Sequence, residues 1–373
     1  MRINRIALSG FRNYEWETID FSPDTNIITG LNAQGKTNLL EAVFMLAYGK
    51  SFRTRFDKET VNFGFSAAEI LADFVSHNRE QTIKIQIIPG TGKKITVNGV
   101  KKTASELAES LNAVLFCPDD LNIIKDGASV RRRMLDNAIS QIRPQYSSIL
   151  AEFNRLYDHK TRILKDWHEK PSLLDTLDEF SDGMARCSAK LIRYRASYSA
   201  RLGRSAAQIH SDFSGNGEIL ETSYKTVSTV TDVLASEKEI YYEICDHQES
   251  HRQAELDSCQ CLTGAHKDDL EMTINGKPAR LFASQGQTRT AALSLKLAER
   301  EILFEETGEY PVLLLDDVLS ELDSSRQERL LTSLTGVQTF LSCTGLDDFI
   351  SRQVDVRRIY RVEANKVEEI TNE

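Results

Sequence analysis

Eight residues, Gly30-Leu-Asn-Ala-Gln-Gly-Lys-Thr37, constrain this chain more than any other stretch. They follow an apolar run, Asn26-Ile-Ile-Thr29, and open a segment, Asn38 to Tyr48, whose apolar residues recur at helical spacing. A glycine-rich turn between a strand and a helix can aim successive backbone N–H groups into one concavity, which favours an anion. The pattern Gly-x4-Gly-Lys-Thr adds a lysine able to reach β- and γ-phosphates and a hydroxyl able to ligate Mg²⁺. Gly30, Leu31, Asn32, Ala33, Gln34, Gly35, Lys36, Thr37 and Asn38 are therefore the expected nucleotide contacts, with Mg²⁺ the expected ion.

Such a loop needs a second acidic element. Val312-Leu-Leu-Leu315 reads as a buried strand and ends in Asp316-Asp317. Asp316 is placed to hold Mg²⁺ with Thr37, and Asp317 to orient and deprotonate an attacking water, so Asp317 and Lys36 are the candidate catalytic residues. Ala283-Ser284-Gln285-Gly286-Gln287 precedes a helical pattern from Gln287 to Glu306. There Ser284 can cap the helix, Gly286 leaves room for a phosphate, and Gln287 completes the segment. Ser320-Glu-Leu-Asp323 follows the acidic pair. In this order the segments resemble the ATPase heads of the ABC type in their SMC-like class, where the signature serine of one protomer completes the nucleotide site of its partner.

Other segments narrow the resemblance. Phe11-Arg-Asn-Tyr14, Lys50-Ser-Phe-Arg53, Leu115-Phe-Cys-Pro-Asp-Asp-Leu121, Arg131-Arg-Arg-Met-Leu-Asp136 and Thr263-Gly-Ala-His-Lys-Asp-Asp-Leu270 are similar to the pattern of the RecF family of bacterial DNA replication and repair proteins. The resemblance implies ATP as the nucleotide, an ATP-induced homodimer with composite nucleotide sites and DNA binding to single-stranded, duplex or junction substrates. It also implies work with RecR and RecO in bringing RecA onto single-strand gaps, and support of the SOS response. Three departures from the wider ABC pattern imply slow hydrolysis. Asp317 stands where a glutamate is common, Thr344 where a switch histidine is usual, and no glutamine marks the junction near Pro118-Asp119.

The expected fold is α/β: an ABC-type head, with a mixed β-sheet and an antiparallel β subdomain, interrupted by a helical lobe. The head takes residues 1–116 and 263–373, and the lobe takes 117–262. Strand patterns bounded by His77-Asn78, Asn98-Gly99 and Asn275-Gly276 place tight turns, and another strand is expected at Ala279 to Phe282. No apolar run approaches a membrane span, and the six scattered cysteines do not form a disulfide framework, so a cytoplasmic protein is expected. Cys245, His247, His251, Cys259 and Cys261 fit no standard zinc spacing, and both histidines read as surface residues of an acidic helix.

The net charge of -9 argues against a protein that coats nucleic acid by bulk basicity, yet the charge is unevenly spread. Residues 131–204 hold 15 Lys+Arg against 9 Asp+Glu, and residues 205–257 hold 3 against 11. Arg186, Lys190, Arg193, Arg201 and Arg204 fall within an arc of roughly 80° on one helix, opposite an apolar face. They are the expected DNA contacts. Arg131–Arg133 and Lys50, Arg53 and Arg55 are other basic groups that could serve. Three further readings are a transporter's nucleotide-binding subunit, which needs a membrane-docking surface, a pure binding module that holds ATP without turning it over, which Asp317 and Thr344 keep open, and a short chromosome-organising head. The segment between Phe116 and Thr263 is too short for the long arms of the last.

Overall fold

The computed structural model describes residues 1–345 and 358–370. It divides into two compact units, Met1–Leu121 with Ala292–Glu373, and Asn122–Ala291. The first unit opens with β1 (Arg2–Phe11), β2 (Tyr14–Asp20), β3 (Thr25–Thr29) and α1 (Lys36–Tyr48). A meander follows: β4 (Ala68–Ser76), β5 (Arg79–Ile88), β6 (Gly92–Val97) and β7 (Val100–Lys102), then β8 (Ala113–Phe116). His77-Asn78 and Asn98-Gly99 close their hairpins with positive φ at both residues (49° and 58°; 50° and 79°), the geometry that matches strand twist. The resulting antiparallel sheet has the order β2-β1-β4-β5-β6-β7, and Ile83, Ile85 and Ile87 line its inner face.

The second unit contains α2 (Asn122–Lys125), α3 (Ala128–Ile142), α4 (Pro144–Asp166), α5 (Leu177–Phe213), β9 (Leu220–Lys225) and α6 (Glu237–Ser258). It continues through β10 (Asp269–Ile274), β11 (Lys277–Pro278) and α7 (Ala279–Phe282). Proline starts α4, and a Ser236–Glu239 capping box starts α6. The 37 residues of α5 form the longest helix among the described residues, about 55 Å at ~1.5 Å per residue. The unit extends to residue 291, further than the lobe drawn from sequence, because β10 pairs with β9 across the whole of Leu220–Lys225. The strand expected at Ala279–Phe282 is instead a helical turn. Pro278, with φ -52° and no N–H to give a ladder, ends the hairpin after two residues.

Helix α8 (Gln285–Thr307) leads to β12 (Val312–Asp316), α9 (Ser324–Ser333), β13 (Thr339–Cys343), β14 (Arg358–Glu363) and β15 (Lys366–Ile370). These strands complete a mixed sheet in the first unit with the order β15-β14-β3-β13-β12-β8. β8, β12, β13, β3 and β14 are mutually parallel, and β15 is antiparallel. Every residue of β3, β12 and β13 is buried, which explains the unbroken apolar run Val312–Leu315 of β12. Helix α1 touches strands of both sheets, and Leu39, Val43 and Leu46 share one core with Ile6, Ile70, Ile83, Leu314 and Phe340. Among the described residues no helix is long and apolar enough to cross a membrane.

Candidate nucleotide-binding site

The loop between β3 and α1 holds its shape by close backbone approach. Gly35 has φ 115°, and a Cβ there would lie 2.8 Å from Asn13 Nδ2 and 3.1 Å from the Tyr14 hydroxyl. A Cβ on Gly30 would lie 2.3 Å from the Val362 carbonyl oxygen. Lys36 is buried, and its Nζ donates to the Gly30 and Leu31 carbonyls at 2.6 and 3.0 Å. Leu31, Asn32 and Ala33 are exposed, while the half-buried Gln34 accepts from the Ala364 amide at 2.7 Å.

Thr37 Oγ1 donates to Asp316 Oδ1 at 3.1 Å, and Ser342 Oγ donates to the same oxygen at 2.7 Å. Burial raises the Asp316 carboxyl above its ordinary range, opposed by those two hydroxyls. Asp317 takes a left-handed conformation, φ 53°, while its amide donates to Ser342 Oγ at 2.9 Å. That turn lets consecutive carboxylates serve one site, at a backbone cost such places store. Asn32, Ala33, Gly35, Lys36, Thr37, Asn38, Arg53, Pro118, Asp316, Asp317 and Ser342 line one cleft of about 460 Å³. A hydroxyl and a carboxylate oxygen within 3.1 Å of each other are the donor set a hard divalent cation takes, so Thr37 and Asp316 fit Mg²⁺.

Sequence reasoning passed over what supports this loop. Arg12, at φ 55°, grips the fully buried Glu41 of α1 through Nε at 2.8 Å. Ser51 and Arg53 also reach Glu41, and Arg53 donates to Asn38 Oδ1. Asn38 donates to Asn13 Oδ1 at 2.6 Å, and Tyr14 donates its hydroxyl proton to the Gly35 carbonyl at 3.0 Å. The segments Phe11–Tyr14 and Lys50–Arg53 thus brace the loop from beneath. A buried glutamate on an apolar helix was the available signal.

Ser284, Gly286 and Gln287 lie in the second unit. Ser284 is exposed and caps α8: its hydroxyl accepts from the Gln287 amide at 3.2 Å, and Gln287 Oε1 accepts from the Ser284 amide at 2.9 Å. Thr344 is exposed just past β13.

On α5, Arg186, Lys190, Arg193 and Arg204 are exposed and Arg201 is half-buried. Arg186 is tied to Asp182 at 2.8 Å. The intervening Arg195 is buried and pairs with Asp136 and Asp268 at 2.9 and 2.8 Å. Arg131 pairs with Asp269 and Arg132 donates to the Asp268 carbonyl, so of that triplet only Arg133 is exposed. The segment 263–269 is therefore a structural knot. Asp268 accepts from Arg195, Tyr224 and Thr226, and Ser188 Oγ accepts from the Ala265 amide. His247, expected on the surface, is buried and bonds Thr263 at 2.8 Å, with His251 stacked on it.

His266 belongs to the same knot, with Nε2 against the Cys261 carbonyl at 3.0 Å and its ring 4.6 Å from that of Tyr157. Burial pushes its imidazole from 6.5 down to about 4. The unfolded chain therefore binds a proton that the folded chain refuses. Stability is complete above the unfolded value and falls as pH drops towards the folded one, by about 1.4 kcal/mol per pH unit. His266→Gln is expected to remove that slope: urea midpoints of parent and variant should converge as pH is lowered from neutral to mildly acidic. Midpoints separated by a constant interval would assign the acid sensitivity elsewhere.

The chain matches the RecF/RecN/SMC N terminal domain family over residues 2–367. It is 42% identical over 367 residues to the DNA replication and repair protein RecF of Acetivibrio thermocellus, covering 98% of this chain and 99% of that one. It is 39% identical to the RecF of Agathobacter rectalis, covering 99% of both. Among solved structures, that of the recombination mediator protein RecF-ATPrS in the RecFOR pathway superposes with TM-score 0.92 at 34% identity, over 99% of this chain and 98% of that one. The Smc head domain from Pyrococcus furiosus superposes with TM-score 0.56 at 18% identity, over 99% of this chain and 96% of that one, a likeness of fold.

Proposed function

Because the chain belongs to the RecF/RecN/SMC family, and its full-length relatives within that family are RecF proteins, we propose that it is an ATP-controlled DNA-binding protein of replication and recombinational repair. The observation that carries this reading is the convergence of Lys36, Thr37, Asp316 and Asp317 on one cleft. Backbone amides of Gly30–Thr37 and the Lys36 ammonium would cradle the phosphates of ATP, and a superposable relative described with bound ATP supports that cofactor. Thr37 and Asp316 would hold Mg²⁺, which when bound adds positive charge where negative charge builds on the phosphates. Asp317 would take a proton from the attacking water. Aspartate reaches less far than glutamate, so turnover is expected to be slow.

Ser284 is exposed, at the N-terminus of a long helix, and outside the cleft-bearing unit. These features favour a serine that serves the nucleotide of a second copy, giving an ATP-induced homodimer with composite sites. RecR and RecO as partners follow the relative described as a recombination mediator within the RecFOR pathway, while RecA loading at gaps and support of the SOS response rest on the RecF resemblance of the sequence segments alone. Ser284→Arg tests the composite site. The bulky cation should abolish the ATP-dependent shift in sedimentation coefficient while the monomer binds ATP as before. An unchanged dimer would remove Ser284 from the interface.

A further inference from the structure

The loop after α1 carries rings that the fold leaves in solvent. Phe56 is 53% exposed and Phe63 is 110% exposed. Trp16, 68% exposed, packs edge-on to Phe65 of the same loop at 6.3 Å. These rings do not sit on slack backbone. The Arg12 amide donates to the Thr60 carbonyl at 2.7 Å, the Asn62 amide to the Gly10 carbonyl at 2.8 Å, and Phe11 bridges Val61. The turn Asp57–Thr60 is fixed from its other side by Lys93, whose Nζ lies 2.7 Å from Asp57 Oδ2. Phe65 packs on Gly10, where even a Cβ would meet its ring at 2.8 Å. The loop is thus clamped at 57, 60–62 and 65, and Phe63 projects from between two clamped points.

Charge selects what would cover these rings. The Arg55 guanidinium lies 5.6 Å and the Lys58 ammonium 5.8 Å from the Phe56 ring centre. Asp57 is paired with Lys93, and the exposed Glu59 offsets only one of Arg55 and Lys58, so the loop keeps a positive balance on a chain of net charge -9. Glu15 and Glu17 alternate with Trp16 along β2 and so point to the opposite face of the strand. Isolated rings set among cations suit a ligand with π faces and phosphates in alternation. A duplex would offer phosphates but keep its bases stacked inside, leaving the rings idle.

We propose that this loop is a stacking platform for unpaired nucleobases, with Phe56 and Phe63 as the base-contacting rings and Arg55 and Lys58 as phosphate contacts. It rests on the DNA-binding reading above and adds to it a preference for single-stranded segments, held by residues separate from the α5 stripe. The rings are presented ready-made, so little ordering is lost when a strand lies on them.

The test is fluorescence anisotropy of the full chain with ATP, titrated against a labelled oligothymidylate and a labelled blunt duplex at several salt concentrations. Phe56→Ala with Phe63→Ala should weaken the oligothymidylate by about tenfold or more per ring while leaving duplex affinity, the single-strand salt slope and ATP affinity unchanged. Phe56→Trp with Phe63→Trp should retain single-strand affinity. No loss in the alanine variant, or equal loss on both substrates, would overturn the platform. Failure of the parent chain to bind either substrate would instead overturn the DNA-binding reading itself.

Discussion

Lys36→Met should lower ATP affinity by roughly 10- to 150-fold, the equivalent of about 1.5–3 kcal/mol for a charge-assisted hydrogen bond to phosphate. The magnitude follows from where the ammonium sits. Its Nζ already bonds the Gly30 and Leu31 carbonyls, so it is poised over the loop without needing to be ordered by the ligand. Methionine keeps the stem and its packing but leaves the phosphate charge facing backbone amides alone. Far-UV circular dichroism should be unchanged, because α1 is held from beneath by Arg12 on Glu41 and by core residues such as Leu39 and Val43. Isothermal titration with ATP decides the matter: parental affinity in the variant would detach the cleft from nucleotide binding.

Charge reversal on α5 should act on DNA with comparable force. Arg193 and Arg204 are both exposed on the expected stripe, whereas Arg201 is half-buried, so Arg193→Glu with Arg204→Glu is the cleaner variant. If both contact phosphates, the logarithmic salt dependence of binding should fall by about 1.4–1.8, at 0.7–0.9 per contact, and every sequence should be weakened alike. Affinity at low salt should drop by about two orders of magnitude, from the lost release of counterions and the new repulsion. ATP affinity should stay as it was. The signature is distinct from that of the loop rings, whose loss should spare the salt slope and act on single strands only. An unaltered slope in the double variant would leave α5 as an exposed basic face.

What could be read from sequence was what lies close along the chain. Gly30–Thr37 is contiguous, and Asp316-Asp317 ends a run whose complete burial in β12 leaves no choice but apolar residues. Turns at Asn98-Gly99 and Asn275-Gly276 carry their own conformational demand and fell where expected. Contacts between distant residues were illegible. Arg195 sits among stripe residues that it does not join, and only the fold brings it to Asp136 and Asp268, 59 and 73 residues away. β9 was missed because Leu220–Lys225 alternates with mostly polar residues, as a strand covered on one face can. The strand expected at Ala279–Phe282 failed on one proline. Arg12 and Asn13 entered only within a segment of family resemblance, and it is the turn between β1 and β2 that aims them beneath the loop.

The order of strands in the mixed sheet has a consequence for how the protein is made. β3 is synthesised early, but its two neighbours, β13 and β14, begin at residues 339 and 358. Even the first residues of β1 wait for a distant partner, since the Ile3 amide donates to Gln338 Oε1 across 335 positions. At about 5–20 residues per second, a ribosome takes roughly 15–60 s to deliver those partners. During that interval the 122–291 unit can fold as its own residues emerge, while β3 keeps two edges of unpaired backbone N–H and C=O groups, the kind that invite association between nascent chains. Chains released before residue 339 would carry those edges permanently, so the yield of folded protein depends on uninterrupted elongation and on whatever shields β3 until the sheet closes.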